Sequence, residues 1–311
     1  MVNRAAEYGY IVLAAVCWGL LGPVARWALA EGVLPLEIAF WRAVIGGALF
    51  LGHMALTRAR TPPHKKRAIA RRHWPVMIAF GLVGVSLFYS SYQFAVERGG
   101  AALAAVLLYT APAWVALIGW WGLDERITPL KLVAVALTLL GVGSIALSGA
   151  QSVHFSVAAI AWGLVSGISY ALYYPFGKRY FARYVPAAIF AVALPIGALG
   201  LWPIVSFGAK SAEAWLALGF IGAVSTYGAY LAYGAGLQRL EASRASIVAT
   251  LEPVIAAAVA HGWWDERFGP WGYAGAVLVI AAALMAAAAP DASDESPTPA
   301  DPARREGEAA D

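Results

Sequence analysis

The chain has 311 residues, of which 61% are hydrophobic and only 13% charged, with a formal net charge of +4. That balance excludes an ordinary soluble domain, where charged residues make up roughly 25%, and a chain that is disordered throughout. The lone cysteine, Cys17, leaves no disulfide frame and no cysteine-based metal site.

In chain order, ten apolar stretches follow one another, each about 20 residues long and so able to cross a bilayer core as helix. The first five are expected at Tyr8–Leu29, Leu34–Thr57, Trp74–Val96, Gly100–Trp121 and Pro129–Leu147. The next five are expected at His154–Gly177, Val185–Phe207, Ala212–Gly236, Ser243–Gly262 and Gly269–Ala289. Ala28-Leu29-Ala30 looks like a signal-peptidase site, but the apolar run before it is longer than that of a leader, so it is read as a retained helix. Residues 290–311, rich in Asp, Glu, Pro and Ala, are expected to form a disordered polar tail.

The chain is one unit written twice. Asp-Glu-Arg occurs at Asp124 and at Asp265, each time with a proline twelve residues before the Asp (Pro112, Pro253) and another three residues after the Arg (Pro129, Pro270). These copies stand 141 apart, while upstream Gly81, Gly84, Tyr89 and Tyr92 match Gly219, Gly222, Tyr227 and Tyr230 at a spacing of 138. Residues 8–147 and 154–289 are therefore expected as two five-helix repeats. An odd number of spans per repeat makes them enter the membrane in opposite directions.

With the amino terminus inside, Arg98, Lys210 and Arg267 fall outside, whereas the other basic residues beyond the spans fall inside. These include Arg58, Lys65, Lys66, Arg71, Arg126, Lys178, Arg183 and Arg239. This is a positive-inside pattern. It accounts for the basic charge through orientation over anionic headgroups, with no need for a nucleic-acid partner.

Trp18-Gly19, Phe40-Trp41-Arg42, the stretch from Pro112 to Glu125-Arg126 and Leu140-Gly141-Val142-Gly143 resemble EamA-type members of the drug/metabolite transporter superfamily. Trp162-Gly163, Leu251-Glu252-Pro253 and Glu266-Arg267 look like the second copy. The resemblance covers about residues 8 to 289, and the nearest group is the YddG-like amino-acid exporters of bacterial inner membranes. It implies an all-α integral membrane protein with ten helices, both termini cytoplasmic, and a central cavity shared by two inverted repeats. It also implies export of amino acids, aromatic ones prominent among them, or of similar amphipathic metabolites. Other readings within that superfamily are a multidrug or metabolite exporter and a passive facilitator. The second copy lacks a counterpart of Arg42, which breaks strict symmetry.

The residues themselves point to the same place, because inverted repeats put the substrate site near the midplane. Candidate lining residues are Trp18, Tyr89, Tyr92, Tyr109, Trp162, Tyr170, Tyr227 and Tyr230. Their rings could stack on an aromatic substrate or hold an ammonium by cation–π attraction. The plainer reading is an interfacial aromatic belt, which fits Tyr109 poorly because it lies deep in its span. Pro112 and Pro253 each remove a backbone donor and are expected to kink their helices beside the site.

Charge inside spans is scarce and marks candidates. Glu252 could hold a substrate ammonium, take up the coupling proton, or bond neighbouring hydroxyls; Arg42 could attract a carboxylate, act in gating, or tie helices. The five histidines show no metal-ligand spacing, and no phosphate loop or nucleophile–base set is present. No enzyme activity, cofactor or metal is expected. The partners are a small-molecule substrate, the lipid bilayer and, under coupling, protons.

Overall fold

The structure is a computed structural model that describes residues 4–57, 68–148, 156–265, 267 and 269–288. The tail 290–311 and Glu266, for which expectations were stated, lie outside the described residues. Among the described residues, ten helices are long and apolar enough to cross a membrane. They are α1 (Ala5–Ala30), α2 (Pro35–Leu56), α3 (Arg71–Gly99), α4 (Ala101–Gly122) and α5 (Pro129–Ser148), then α6 (Val157–Tyr180), α7 (Pro186–Ile204), α8 (Ala212–Leu237), α9 (Ala242–Trp263) and α10 (Pro270–Ala288). An even number of spans returns both ends of the bundle to one face, called here the termini face.

Local chemistry explains where the helices begin. Prolines open α2, α5, α7 and α10, where a missing N–H costs nothing. Ser156 and Ser211 cap α6 and α8 by accepting from the Ala159 and Ala214 amides. Only Gly100, at φ +86°, separates α3 from α4, a tight reversal that an L side chain resists.

The packing is that of two inverted halves. Helix α2 lies on α7 and α5 on α10, while α1 packs on α8 much as α3 packs on α6. At the α5–α10 crossing a Cβ on Gly141 would stand 2.7 Å from the Gly275 carbonyl, so backbones meet directly.

The irregular stretches recur in register. A π-helical turn occupies 82–87 in α3 and another 223–228 in α8. Helix α4 is interrupted at Tyr109–Thr110 and α9 at Thr250–Leu251, just before Pro112 and Pro253. Asp124 (φ 56°) and Asp265 (φ 50°) are the positive-φ residues other than glycine among the described ones. All three pairs stand 141 apart. Helices α1 and α6 are also broken, at Leu20 and Leu172.

This register corrects the spacing of 138 expected for α3 and α8. Gly81 answers to Gly222, each packed so closely that a Cβ would meet α7 at 2.8 Å or Ile45 of α2 at 2.5 Å. Tyr89 answers to Tyr230, and Gly219 packs against nothing within 4 Å of its would-be Cβ. The two spacings differ by three residues, close to one helical turn, so both match glycines and tyrosines on one face.

Candidate functional site

Breaks in the helices bring polar side chains to mid-membrane. The interruption in α4 presents Tyr109, which stands close enough to the Glu252 carboxylate at the break in α9 for the two to interact. Tyr92 on α3 and Tyr170 and Tyr174 on α6 stand within range of the same carboxylate. Opposite this group, α2 supplies Arg42. Its Nε donates to Thr226 Oγ1 at 3.3 Å, and its guanidinium carbon lies 4.4 Å above the Tyr89 ring. Arg42 and Glu252 are close enough to act on each other electrostatically, but among the described residues they form no direct ion pair. Both keep part of their surface accessible, as does Tyr92, although they stand deep in their spans.

From the ring under Arg42 runs a directed chain of hydroxyls. Tyr173 donates to the carbonyl of Gly84 at 2.6 Å, a group displaced from regular helical bonding by the π-turn. Tyr173 must then accept from Tyr230 at 3.1 Å, which in turn accepts from Tyr89 at 3.1 Å. Tyr233 donates to the Tyr173 carbonyl at 2.8 Å, and Tyr170 and Tyr174 pair their hydroxyls at 3.2 Å. Rings lock the chain in place: Phe190 stacks on Tyr230 with centroids 4.4 Å apart, and Phe88 stacks on Tyr170 at 5.4 Å. Trp18 sets its edge against Tyr170 and Tyr230 at 6.4 and 5.9 Å.

The cluster thus gathers Trp18, Tyr89, Tyr92, Tyr109, Tyr170, Tyr230, Arg42 and Glu252. Two expected lining residues stand apart from it. Tyr227 bonds His53 Nδ1 at 2.7 Å and packs on Phe50, because the π-turn ending at Gly228 turns it away from Tyr230. Trp162 lies against Phe94 at 5.2 Å, two turns of α6 before Tyr170. Thr226 and Phe190 were not among the expected residues. No sequence signal marks a π-turn, and only the need of an intramembrane arginine for an acceptor pointed toward Thr226.

A cavity of about 690 Å³ lies elsewhere, between α2 and α7, lined among others by Phe40, Trp41, Pro195, Trp202, Phe207 and Lys210. Its walls are almost wholly apolar, and neither Tyr109 nor Glu252 lines it. Lys210 at its edge pairs with buried Glu37, so this region carries no unbalanced charge.

Arg42 has five N–H donors, and among the described residues it makes one hydrogen bond, through Nε. The site therefore offers an anion four unspent guanidinium donors, a cation one carboxylate, and an apolar or aromatic body a wall of rings. It provides no metal cluster among the described residues.

Comparison with known proteins adds the family. Residues 6–147 and 157–288 each match the EamA-like transporter family. An uncharacterised transporter of Archaeoglobus fulgidus is 29% identical over 287 residues, covering 91% of this chain and 97% of that protein. The uncharacterised transporter YwfM of Bacillus subtilis is 27% identical over 90% of this chain and 93% of its own. The uncharacterised inner membrane transporter YicL of Salmonella typhimurium is 23% identical over 88% and 93%. A crystal structure of 18% identity superposes with a TM-score of 0.77 over 91% of this chain and 97% of that one, a likeness of fold.

Proposed function

This chain belongs to the EamA-like transporter family, a multi-pass membrane protein, and from that premise we propose that it exports a small amphipathic zwitterion by alternating access. Neutral amino acids, aromatic ones foremost, have the required shape. One observation carries the reading: Arg42 and Glu252 stand in one tyrosine-walled cluster deep in their spans, each without an ion-pair partner among the described residues. Charges at that depth are costly and mark a substrate or ion path. Here each lacks the partner that the opposite end of a zwitterion would supply. A substrate carboxylate would take the guanidinium fork bidentately, the ammonium would meet Glu252, and a ring would lie among Trp18, Tyr170 and Tyr230. A purely cationic drug would leave Arg42 unanswered, which favours the zwitterion over a multidrug substrate.

The setting is the cytoplasmic membrane, with the termini face inward because the basic residues collect there. Glu252 is the candidate proton carrier if export is coupled to protons. The test is uptake of labelled amino acids into proteoliposomes with and without a pH gradient. Saturable flux of phenylalanine or tryptophan supports the reading, and no flux of any amino acid by folded protein overturns it. In the same assay Glu252→Gln is expected to abolish the response to the pH gradient; a response kept by well-folded variant protein places coupling elsewhere.

A further inference from the structure

At the termini face the two halves meet through Glu125. This side chain is 8% exposed and its carboxylate accepts three hydrogen bonds from the start of α9. They come from Ala242 N at 2.6 Å, Ser243 N at 3.1 Å and Ser243 Oγ at 2.6 Å. The contact joins the α4–α5 connection of the first half to the second half at the termini face. It satisfies amides that the helix leaves free, at the positive end of the helix dipole.

The surrounding residues are built for it. Asp124 adopts a left-handed backbone conformation that turns the chain back, and the Glu125 amide then donates to the Gly119 carbonyl at 3.0 Å. A Cβ on Gly119 would stand 3.0 Å from Glu125 Oε2, so the glycine is what lets the carboxylate lie there. Two further ties cross between the halves at this face: Lys131 to Glu241 at 3.0 Å and Arg239 to Glu7 at 3.1 Å.

The opposite face has ties of its own between the halves, Lys210 to buried Glu37 and Ser211 Oγ donating to Glu31 at 2.6 Å, but the helix leading to it is packed differently. Residues 252–263, the second part of α9, contain no buried side chain, whereas the matching stretch Ala111–Gly122 of α4 buries Ala111, Pro112, Val115, Ala116 and Gly119. Of these two matching stretches, the one that leads to the termini face is therefore the more deeply packed.

We propose that Glu125 is the latch of the termini-face gate. Its carboxylate holds the first turn of α9 against the α4–α5 connection, and the site opens to that face when the three bonds to Ala242 and Ser243 release. The inference rests on the transport reading above, but its test uses no substrate, so either can fail alone.

The experiment measures how fast a membrane-impermeant maleimide labels single cysteines in nanodiscs, where both faces meet the reagent, in a Cys17→Ser background. Ser246→Cys, one turn beyond the latch on α9, reports the termini face. Gln93→Cys, half-buried beside Tyr92, reports the other. Glu125→Gln replaces an acceptor with an amide whose NH₂ meets donors, and should speed labelling at Ser246→Cys by about tenfold, the loss of one charge-assisted bond. Labelling at Gln93→Cys should slow at the same time. Gly119→Ala, which displaces the carboxylate and leaves its charge, should act in the same direction. Both reporters speeding together would show a loosened fold, and unchanged rates at both would show that Glu125 holds no gate; either result overturns the proposal.

Discussion

The two halves agree in backbone and disagree in charge. Each has its π-turn, its interrupted helix before a proline and its left-handed aspartate in the same register. Tyr89 and Tyr230, repeat mates 141 apart, even share a hydrogen bond, which places them on the pseudo-twofold axis. Yet Glu252 answers to Ala111, and Arg42, counted from the prolines that open α2 and α7, answers to Ala193. The difference separates two jobs. Alternating access asks both halves to bend at matching places, so the irregular backbone recurs. Recognition of a zwitterion, as proposed above, would ask for one carboxylate partner and one ammonium partner, and each charge occurs once.

Making the charges symmetric should cost most. Ala111 has no exposed surface, so Ala111→Glu would place a carboxylate without a partner inside the membrane, at a cost of about 3 kcal/mol or more. Thermal unfolding in detergent should show a markedly lowered midpoint, and an unchanged midpoint would mean that this place in the first half is as tolerant of charge as its mate.

Next in size is removal of the cation. Arg42→Gln should lower uptake efficiency for a neutral amino acid by about a hundredfold, the scale of a charge-assisted bidentate contact. Arg42→Lys should recover little, because a point ammonium lacks the planar fork. Full activity in Arg42→Lys would reduce Arg42 to a bulk charge. Tyr109→Ala then tests the ring wall: it should weaken transport of aromatic substrates by several-fold more than aliphatic ones, at about 1 kcal/mol per lost ring contact. Equal loss for both classes would assign Tyr109 to scaffolding.

The sequence made the membrane class, the ten spans and the duplication legible, since apolar length and repeated prolines are properties of composition and spacing. The kinks were legible too, because Pro112 and Pro253 cannot donate to the preceding turn. The site was half legible. Glu252, Arg42 and Tyr109 stand out as polar groups deep in apolar spans, and the structure brings all three into one cluster. The register of α3 against α8 was not legible, because an error of three residues keeps a helical face almost unchanged and matched Tyr89 to Tyr227. Nor was Thr226, since an i→i+5 turn leaves no mark in composition. Glu125 was legible as a repeated residue but not as a helix cap, because its partners Ala242 and Ser243 lie 117 and 118 residues away.

The smallest effect sharpens the comparison most, because it separates two tyrosines only three residues apart on α8. Tyr230 accepts from Tyr89 and donates to Tyr173, inside the chain of hydroxyls. Tyr227 bonds His53 at the edge of the bundle, with a partly exposed side chain. Tyr230→Phe leaves the Tyr173 hydroxyl without its donor and the Tyr89 hydroxyl without its acceptor, a loss of about 1 kcal/mol, so uptake should fall roughly fivefold. Tyr227→Phe breaks one hydrogen bond, to His53, outside the chain of hydroxyls, and uptake should stay within about twofold of the parent. The two variants differ from the parent by the same single oxygen, so expression and folding effects are matched between them. A reversed order, with Tyr227→Phe the more damaging, would restore the spacing of 138 as the functional register and move the site toward the α2–α8 surface.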